Sequence, residues 1–416
     1  MVLVFAHQDN SRLRYVLNEV FTRRLGEEVS VQTDWAAFSS ATVEAKLAYC
    51  PDRLKGNGVW ISPGGLLSVG AEIVPELRVV NGLSLLFPGG GDLGFDPLSM
   101  AFWCFSRMEE YGEVKHDVHG RFAAKNSLLY GCLEEPVLDQ ALQLLYEALG
   151  LDAKPRFWVQ PSVDIDIAYQ FKARSLGRAF GAAIRQPQFT KRRIKALAGG
   201  PDPHDPMHTV LPVVREHPQT RVFLLASKRV NRYNKQVRRK NKNFQACVKA
   251  LAQTGQLGLH PSLRNQNAAS HWAEEKAWIE SLSPNSLTSS RQHYIHLSFP
   301  DTYYHLMGLG IRDDYSMGYP DVPGFRAGTA HPFAWYDLEQ EQATDLILHP
   351  FCLMDVMCRN YQKMSAEDSL RLGLVLRERV QATGGEFGFI FHNESLSDTG
   401  PWKGWKRVFD AWSQHG

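Results

Sequence analysis

Phe157-Trp-Val-Gln-Pro-Ser-Val-Asp-Ile-Asp166 is the stretch whose reading fixes the rest of the chain. Apolar and polar residues alternate through Ser162–Asp166, the period of a half-buried strand. The run ends on Asp164 and Asp166, two apart, so both side chains point to the same face. Carboxylates that close repel unless a cation lies between them or one takes a proton. One can then hold a metal while the other acts as a base. The competing reading is a strand end whose aspartates cap the next helix.

Outward from this stretch the same rhythm repeats. Strands are expected at Val222–Ala226, at Leu257–Leu259 running into His260, at Gln292–Leu297, and at Phe387–Phe391 running into His392. Helical spacing separates them, with a basic helix over 170–197 and further helices over 244–254 and 270–282. Strand alternating with helix predicts βα units around a parallel sheet or barrel. Upstream, Val2–Phe5 reads as a strand. Residues 11–25 read as a helix through Leu13, Val16, Leu17, Val20, Phe21 and Leu25. Pro63-Gly64-Gly65 and Pro88-Gly-Gly-Gly91 mark turns, and the apolar runs 96–111 and 136–149 read as buried helices. The expected division is an α/β accessory domain over 1–150, a linker at Asp152-Ala-Lys-Pro155, and a second domain over 156–416.

Bulk properties remove several classes. A chain of 416 residues supports two or three domains with real cores. With 44% hydrophobic and 22% charged residues it has a globular balance, and a net charge of +2 points to neither nucleic acid nor an anionic membrane. Cys50, Cys104, Cys132, Cys247, Cys352 and Cys358 form no CxxC pair, which excludes a cysteine zinc ribbon and suggests free thiols in a reducing compartment. The start, MVLVFAHQDNSRLRY, lacks a basic leader region, and its apolar run is too short for a signal peptide or membrane span. A cytoplasmic location is the expectation. Lys228–Lys242 carries eight Lys/Arg, and Lys191-Arg-Arg193 adds more. Tyr233 is the single aromatic in that run, so a solvated face is favoured over base stacking on nucleic acid. Pro88-Gly-Gly-Gly-Asp92 lacks the Lys and Ser/Thr of a phosphate loop.

The candidate chemistry gathers at strand ends. His260, in Gly258-Leu-His-Pro-Ser262, has the position of a metal ligand. In Arg291-Gln-His293-Tyr294 the arginine can orient a carboxylate and His293 can be a further ligand, or the segment packs across strands. His392 is a candidate general acid, with Asn393 and Glu394 to orient it, or simply a strand turning into a loop.

These motifs carry a resemblance. Ser162-Val-Asp-Ile-Asp-Ile-Ala168, Gly258-Leu-His-Pro-Ser262, Ser290-Arg-Gln-His-Tyr294, Asp314-Tyr-Ser-Met-Gly-Tyr319, Gly324-Phe-Arg-Ala-Gly328, His349-Pro-Phe351 with Met354-Asp355, and Phe391-His-Asn393 resemble the polysaccharide deacetylase (NodB-homology, carbohydrate esterase 4) superfamily. Ser106-Arg-Met-Glu-Glu-Tyr111 and His119-Gly-Arg-Phe122 match a bacterial branch in which a small uncharacterised α/β domain comes first. The resemblance implies a distorted (β/α) barrel preceded by a smaller α/β domain. It implies a hydrolase that removes an acetyl group from an N-acetylated sugar or glycan, using a divalent metal, usually zinc. Carried over by motif, Asp164 is the base, Asp166 and His260 are metal ligands, and Arg291 orients the base. A backbone N–H near Tyr294 helps hold the oxyanion and His392 is the acid. Ser262, Asp314 and Arg326 are expected to bind substrate, with Asp314 and Arg326 steadying His392.

One departure stands out. The family's second metal histidine lies four residues after the first, and Arg264 occupies that position here. His293 is expected to replace it, in a motif where the family has proline. Two other readings of the same residues are a carbohydrate-binding or scaffold protein without turnover and an amide hydrolase that needs no metal. A glycoside hydrolase fits less well, because carboxylates two apart on one strand do not flank a bond at ~5–9.5 Å.

Overall fold

The structure, a computed structural model, describes residues 1–55, 58–154, 156–172, 190–228, 231, 233–263 and 268–414. Four parallel strands, β1 (Val2–Ala6), β2 (Val29–Gln32), β3 (Ala45–Tyr49) and β4 (Val59–Ile61), form a small sheet in the order β2-β1-β3-β4. Helices α1 (Ser11–Leu17) and α2 (Trp35–Ser40) connect its strands. Asn10 starts α1 by accepting from Leu13 N at 3.0 Å, and the helix widens into a π-turn over Asn18–Arg23. A hairpin of β5 (Leu77–Val80) and β6 (Leu83–Leu86) follows. Next come the buried helix α3 (Pro97–Ser106) and α4 (Val137–Ala148). Asp96 caps α3 with bonds from Leu98 N and Ser99 N, and left-handed Arg107 ends it, so the helix is shorter than the apolar run 96–111.

The remaining strands are β7 (Phe157–Ile165), β8 (Arg221–Leu225), β9 (Leu257–His260), β10 (Ser289–Ser290), β11 (Asp313–Met317), β12 (Phe333–Asp337), β13 (Gln342–Pro350), β14 (Leu353–Met354) and β15 (Gly385–His392). They join in one nine-stranded sheet, order β12-β13-β11-β10-β9-β8-β7-β15-β14, curled into a half-barrel. Every pair is parallel except β12 with β13. Edges β12 and β14 do not pair with each other among the described residues. Parallel packing brings the C-terminal ends of β7, β9 and β15 to one rim, in the register Asp164↔His392 and Leu225↔His260.

The small sheet does not fold away from the large one. Phe102 and Phe105 of α3 and Tyr15 of α1 pack on Phe333 and Tyr336 of β12, with Phe105 stacked on Phe333 at 4.9 Å between ring centroids. The Tyr15 hydroxyl donates to Ala334 O at 2.6 Å, and Ala334 N donates to Glu19 at 3.2 Å. The free edge of β12 is thereby blocked by the N-terminal unit, which keeps it from templating another strand. One continuous apolar core runs from Val2 to Leu149 and on through Tyr303, Trp335 and Leu348. A second core lies under β7, β8, β9 and β15, closed by the helices Ala366–Thr383 and Trp405–Ser413.

The expected strand over Gln292–Leu297 is not there. The chain leaves the sheet after β10 and makes a 3₁₀ turn over His293–Ile295, with Tyr294 and Ile295 in the left-handed region at φ 63° and 54°. Gln292, His293, Tyr294 and Ile295 in succession line the cavity described below, so the alternating polarity does not mark a strand. Of the basic helix expected over 170–197, Thr190–Leu197 is helical and 173–189 lie outside the described residues. Pro155 of the expected linker, Arg264, and Arg229 and Arg232 of the basic run also lie outside them.

Candidate active site

A cavity of about 370 Å³ opens at the C-terminal rim of the half-barrel. Asp164, Asp166, His260, His293, Tyr294 and His392 all line it. Asp164 is still in β7 and is buried, whereas Asp166 sits one residue past the strand end with its side chain about a third exposed. Gly258 allows β9 to reach this rim, because a Cβ there would lie 2.6 Å from Ser289 Oγ and 2.8 Å from the Phe223 ring.

Asp166 is the centre of the cluster. His260 Nε2 stands 3.1 Å from its Oδ1, His293 Nε2 3.4 Å from its Oδ2, and His392 Nε2 4.0 Å from Oδ2. The ligand atoms of Asp166, His260 and His293 lie within 4.8 Å of one another. Tetrahedral ligation with bonds of ~2.0–2.2 Å separates ligand atoms by ~3.4 Å, so the triad is spaced for one cation.

The outer nitrogens define what faces inward. His260 Nδ1 is 2.6 Å from Arg291 O, a carbonyl that can only accept, so Nδ1 carries a hydrogen. His293 Nδ1 is 3.2 Å from Asn234 Oδ1. That amide is oriented by Leu263, whose N–H donates to Oδ1 and whose carbonyl accepts from Nδ2, each at 3.1 Å. His293 Nδ1 is therefore also a donor, and a neutral His293 aims the Nε2 lone pair at the Asp166 carboxylate. Burial lowers the His293 pKa, the charge of Asp166 only partly opposing it. Burial also works against a charged His260, but Asp164 and Asp166 outweigh it and raise its pKa. Asp166 is driven well below the usual carboxylate range, the two histidines overcoming the burial penalty. Asp164 Oδ1 is buried and takes part in no hydrogen bond among the described residues, and Asp166 Oδ1, also buried, faces only His260 Nε2 at 3.1 Å. A lone pair facing a carboxylate and an orphaned oxygen beside it are the arrangement a divalent cation completes. The residues present fit such an ion.

Asp164 lies against Arg291, with Nε 3.8 Å from Oδ1. Arg291 is buried, held by Nη2 donating to Ser162 Oγ at 2.7 Å and by its plane lying 4.8 Å over the Phe223 ring. Across the cavity, His392 Nδ1 is 2.8 Å from Asp355 Oδ1, and the His392 N–H donates to Asp355 Oδ2 at 2.7 Å. Ser395 Oγ also donates to Asp355 Oδ2. Burial disfavours a charged His392, but Asp355 and then Asp166 and Asp164 raise its pKa to about 10. The ring is cationic at neutral pH and presents Nε2–H to the cavity.

Asp355 is the residue sequence reasoning left without a role, although Met354-Asp355 closes a strand as the other site motifs do. Of the expected orienters of His392, Asn393 and Glu394 line the cavity beside it, whereas Asp314 and Arg326 do not. Asn393 Nδ2 donates to Ile167 O and His204 O, which ties the loop after β7 to the end of β15. Glu394 Oε2 stands 3.9 Å from His204 Nε2. Asp314 accepts from Ser290 Oγ at 2.8 Å and from Ser316 N at 3.0 Å, deep between β10 and β11. Arg326 pairs with Glu110 of the N-terminal unit. Ser262 is buried, its N–H donating to Glu275 at 2.9 Å. The side chains of Ser262, Asp314 and Arg326 do not line the cavity.

Comparison with known proteins adds two likenesses. Residues 2–153 match a family described as being of unknown function (DUF7033). No curated protein is significantly similar to the chain. Among solved structures, a protein from Mycobacterium smegmatis provisionally designated a polysaccharide deacetylase is similar, at 13% identity and a TM-score of 0.39, over 62% of this chain and 86% of that one. No helix among the described residues is long and apolar enough to cross a membrane.

Proposed function

We propose that this protein is a metal-dependent amide hydrolase of the deacetylase type, acting on an N-acetylated amino sugar or glycan. The observation that carries the reading is the convergence of three sets of groups on one cavity. These are the Asp166–His260–His293 triad, Asp164 against Arg291, and His392 against Asp355. Separately, the order of motifs from Ser162-Val-Asp-Ile-Asp166 to Phe391-His-Asn393 resembles the polysaccharide deacetylases.

In this reading Asp166, His260 and His293 hold a divalent ion, with zinc the first choice for one carboxylate and two imidazoles. The ion supplies Lewis acidity towards the amide carbonyl and its attacking water. Asp164 takes the proton of that water, with the Arg291 guanidinium 3.8 Å from its carboxylate. The Tyr294 N–H stabilises charge on the carbonyl oxygen. His392 gives its Nε2 proton to the leaving amine, and Asp355 holds the ring at the angle this needs. Ser262, Asp314 and Arg326 act indirectly, by fixing the walls on which these groups stand.

The test is elemental analysis of the wild type beside Asp166→Ala, His260→Ala and His293→Ala, each incubated with zinc and dialysed. About one equivalent in the wild type and none in the variants is expected, followed by acetate release from an N-acetylglucosamine oligomer. A wild type that holds no divalent ion under these conditions overturns the reading. If His293→Ala retains zinc at wild-type affinity, its role as the third ligand is wrong.

A further inference from the structure

The N-terminal unit reaches into this cavity, and one of its side chains touches the backbone the chemistry uses. Arg121 lines the cavity wall although it belongs to the region matched only to a family of unknown function. It stands at the end of a tight turn, His116–Phe122, closed by an isolated bridge between His116 and Phe122 and by Asp117 N donating to Arg121 O at 2.8 Å. Asp117 braces the turn from inside. Its Oδ1 accepts from His119 N at 2.8 Å and Arg121 N at 3.0 Å, and its Oδ2 accepts from Arg121 Nε at 2.7 Å. Gly120 is at φ +77°, and a Cβ there would lie 3.2 Å from His296 Nε2, so the turn packs directly on the segment after the 3₁₀ turn.

Arg121 Nη1 then donates to Tyr294 O at 3.1 Å. Tyr294 and Ile295 are consecutive non-glycine residues in the left-handed region, a conformation that needs support from its surroundings. The Tyr294 N–H makes no hydrogen bond to another turn or loop of the described residues. The His119 ring rests 5.7 Å from the Tyr294 ring, and the Arg121 guanidinium lies 5.9 Å over Tyr361, which is on the cavity wall.

We propose that the N-terminal unit is part of the reaction centre, with Arg121 as the positioning residue that grips the Tyr294 carbonyl, fixes the left-handed φ and ψ of Tyr294, and through them holds the Tyr294 N–H of the preceding peptide plane towards the reacting carbonyl. The inference rests on the reading of the site as an acyl-transfer centre, but the conformational half can be tested apart from it. A domain whose own sheet carries no candidate chemistry gains a role through a single turn. The motif His119-Gly-Arg-Phe122 then has a reason for each member. His119 rests on Tyr294, Gly120 fits against His296, Arg121 holds the carbonyl, and Phe122 anchors the turn in the core.

The experiment compares full-length wild type, Arg121→Ala and Arg121→Lys. Deuterium uptake is followed in peptides covering 291–297 and, as a reference, 160–168. Zinc content and the kcat and KM for 4-nitrophenyl acetate are measured on the same preparations. In Arg121→Ala, uptake over 291–297 is expected to rise roughly 10-fold in rate while 160–168 is unchanged. Zinc content stays at the wild-type level, and kcat falls about 10-fold or more at constant KM. Lysine, which can still donate to the carbonyl, restores part of both. Unchanged uptake over 291–297 in Arg121→Ala overturns the proposal whatever happens to activity. Faster uptake with unchanged kcat in an active wild type overturns its catalytic half. A wild type that binds no zinc and does not hydrolyse the ester instead fails the functional reading, and the uptake comparison still decides whether Arg121 holds Tyr294. If Arg121→Ala does not fold, Arg121→Lys is held to the same criteria against Arg121→Gln.

Discussion

At the seam between the N-terminal unit and the sheet, Glu110 accepts from Arg107 Nε and from Arg326 Nε, each at 2.9 Å. Arg107 Nη2 donates to Glu109 at 2.8 Å, and Arg326 Nη1 to Gly318 O at 3.1 Å. At the cavity, Asp164 is equally buried but stands 3.8 Å from Arg291, and Asp164 Oδ1, Arg291 Nε and Arg291 Nη1 are all without hydrogen bonds among the described residues. Among the described residues of the seam, Arg107 Nη1 is the one charged-group atom in that condition, beside the neutral Tyr303 and Tyr319 hydroxyls. Buried charge that is spent on its neighbours holds a fold together, whereas buried charge left unspent is held ready for something that arrives.

The comparison breaks first on function. Asp166→Ala or His260→Ala is expected to abolish metal retention and lower kcat/KM by about 10³-fold or more. Glu110→Ala should leave the metal stoichiometry of the folded protein unchanged. Metal loss in Glu110→Ala at temperatures where it remains folded would mean the two clusters are not independent.

On stability the order reverses. Glu110→Ala leaves Arg326 buried without a carboxylate and Arg107 with Glu109 alone, and arginine cannot shed its proton, so a loss of about 3–5 kcal/mol is expected. In the metal-free protein, Asp166→Ala is expected to cost less than about 1 kcal/mol, because a histidine that loses its counter-ion can discharge near neutral pH. Chemical denaturation of both variants in chelator checks this, and equal losses would show that the cavity charges also serve the fold. A third variant sharpens the cavity side. Asp355→Asn keeps a hydrogen bond to His392 but removes the charge that keeps the ring protonated, and kcat should fall about 10²-fold with little change in KM.

The same contrast explains how far the sequence could be read. Strand ends that carry polar residues after an apolar run are legible one at a time, and Asp164, Asp166, His260 and His392 do meet at one rim because parallel strands put their C-terminal ends there. His293 also arrives at that rim, on a turn where alternation had indicated a strand. What could not be read was pairing. Asp314 and Arg326 occur in motifs as polar as the others, yet one is satisfied by Ser290 and Ser316 and the other by Glu110, some two hundred residues upstream. Asp355 and Asn234 hold histidines of the cavity rim across long sequence separations, and no local pattern records which histidine each will meet. The seam itself was hidden for the same reason. Apolar residues of α3 look alike whether they face their own sheet or β12, and only the structure assigns Phe102 and Phe105 to the latter side.

A third buried group, towards the opposite end of the half-barrel, tests whether spent charge can nevertheless be titrated away. His349 Nδ1 is 2.9 Å from Glu386 and its Nε2 is 3.0 Å from Asp313, with the ring stacked 4.1 Å from Tyr315. Burial disfavours its charge, but Glu386 and Asp313 prevail and raise the pKa to about 9. A pKa raised on folding means that the native state holds its proton more tightly than the unfolded chain. The stabilisation is therefore complete below the unfolded value of about 6.5 and disappears as pH rises through about 9. Its size should be about 1–3 kcal/mol, discounted because Asp313 is partly exposed. Denaturant titrations at pH 6 and pH 10 should show this loss in the wild type and a smaller one in His349→Gln, which cannot titrate. If the two proteins lose stability equally over that interval, the charge on His349 contributes nothing to folding. The bonds to Glu386 and Asp313 would then be packing contacts, unlike the arginine pairs at the seam.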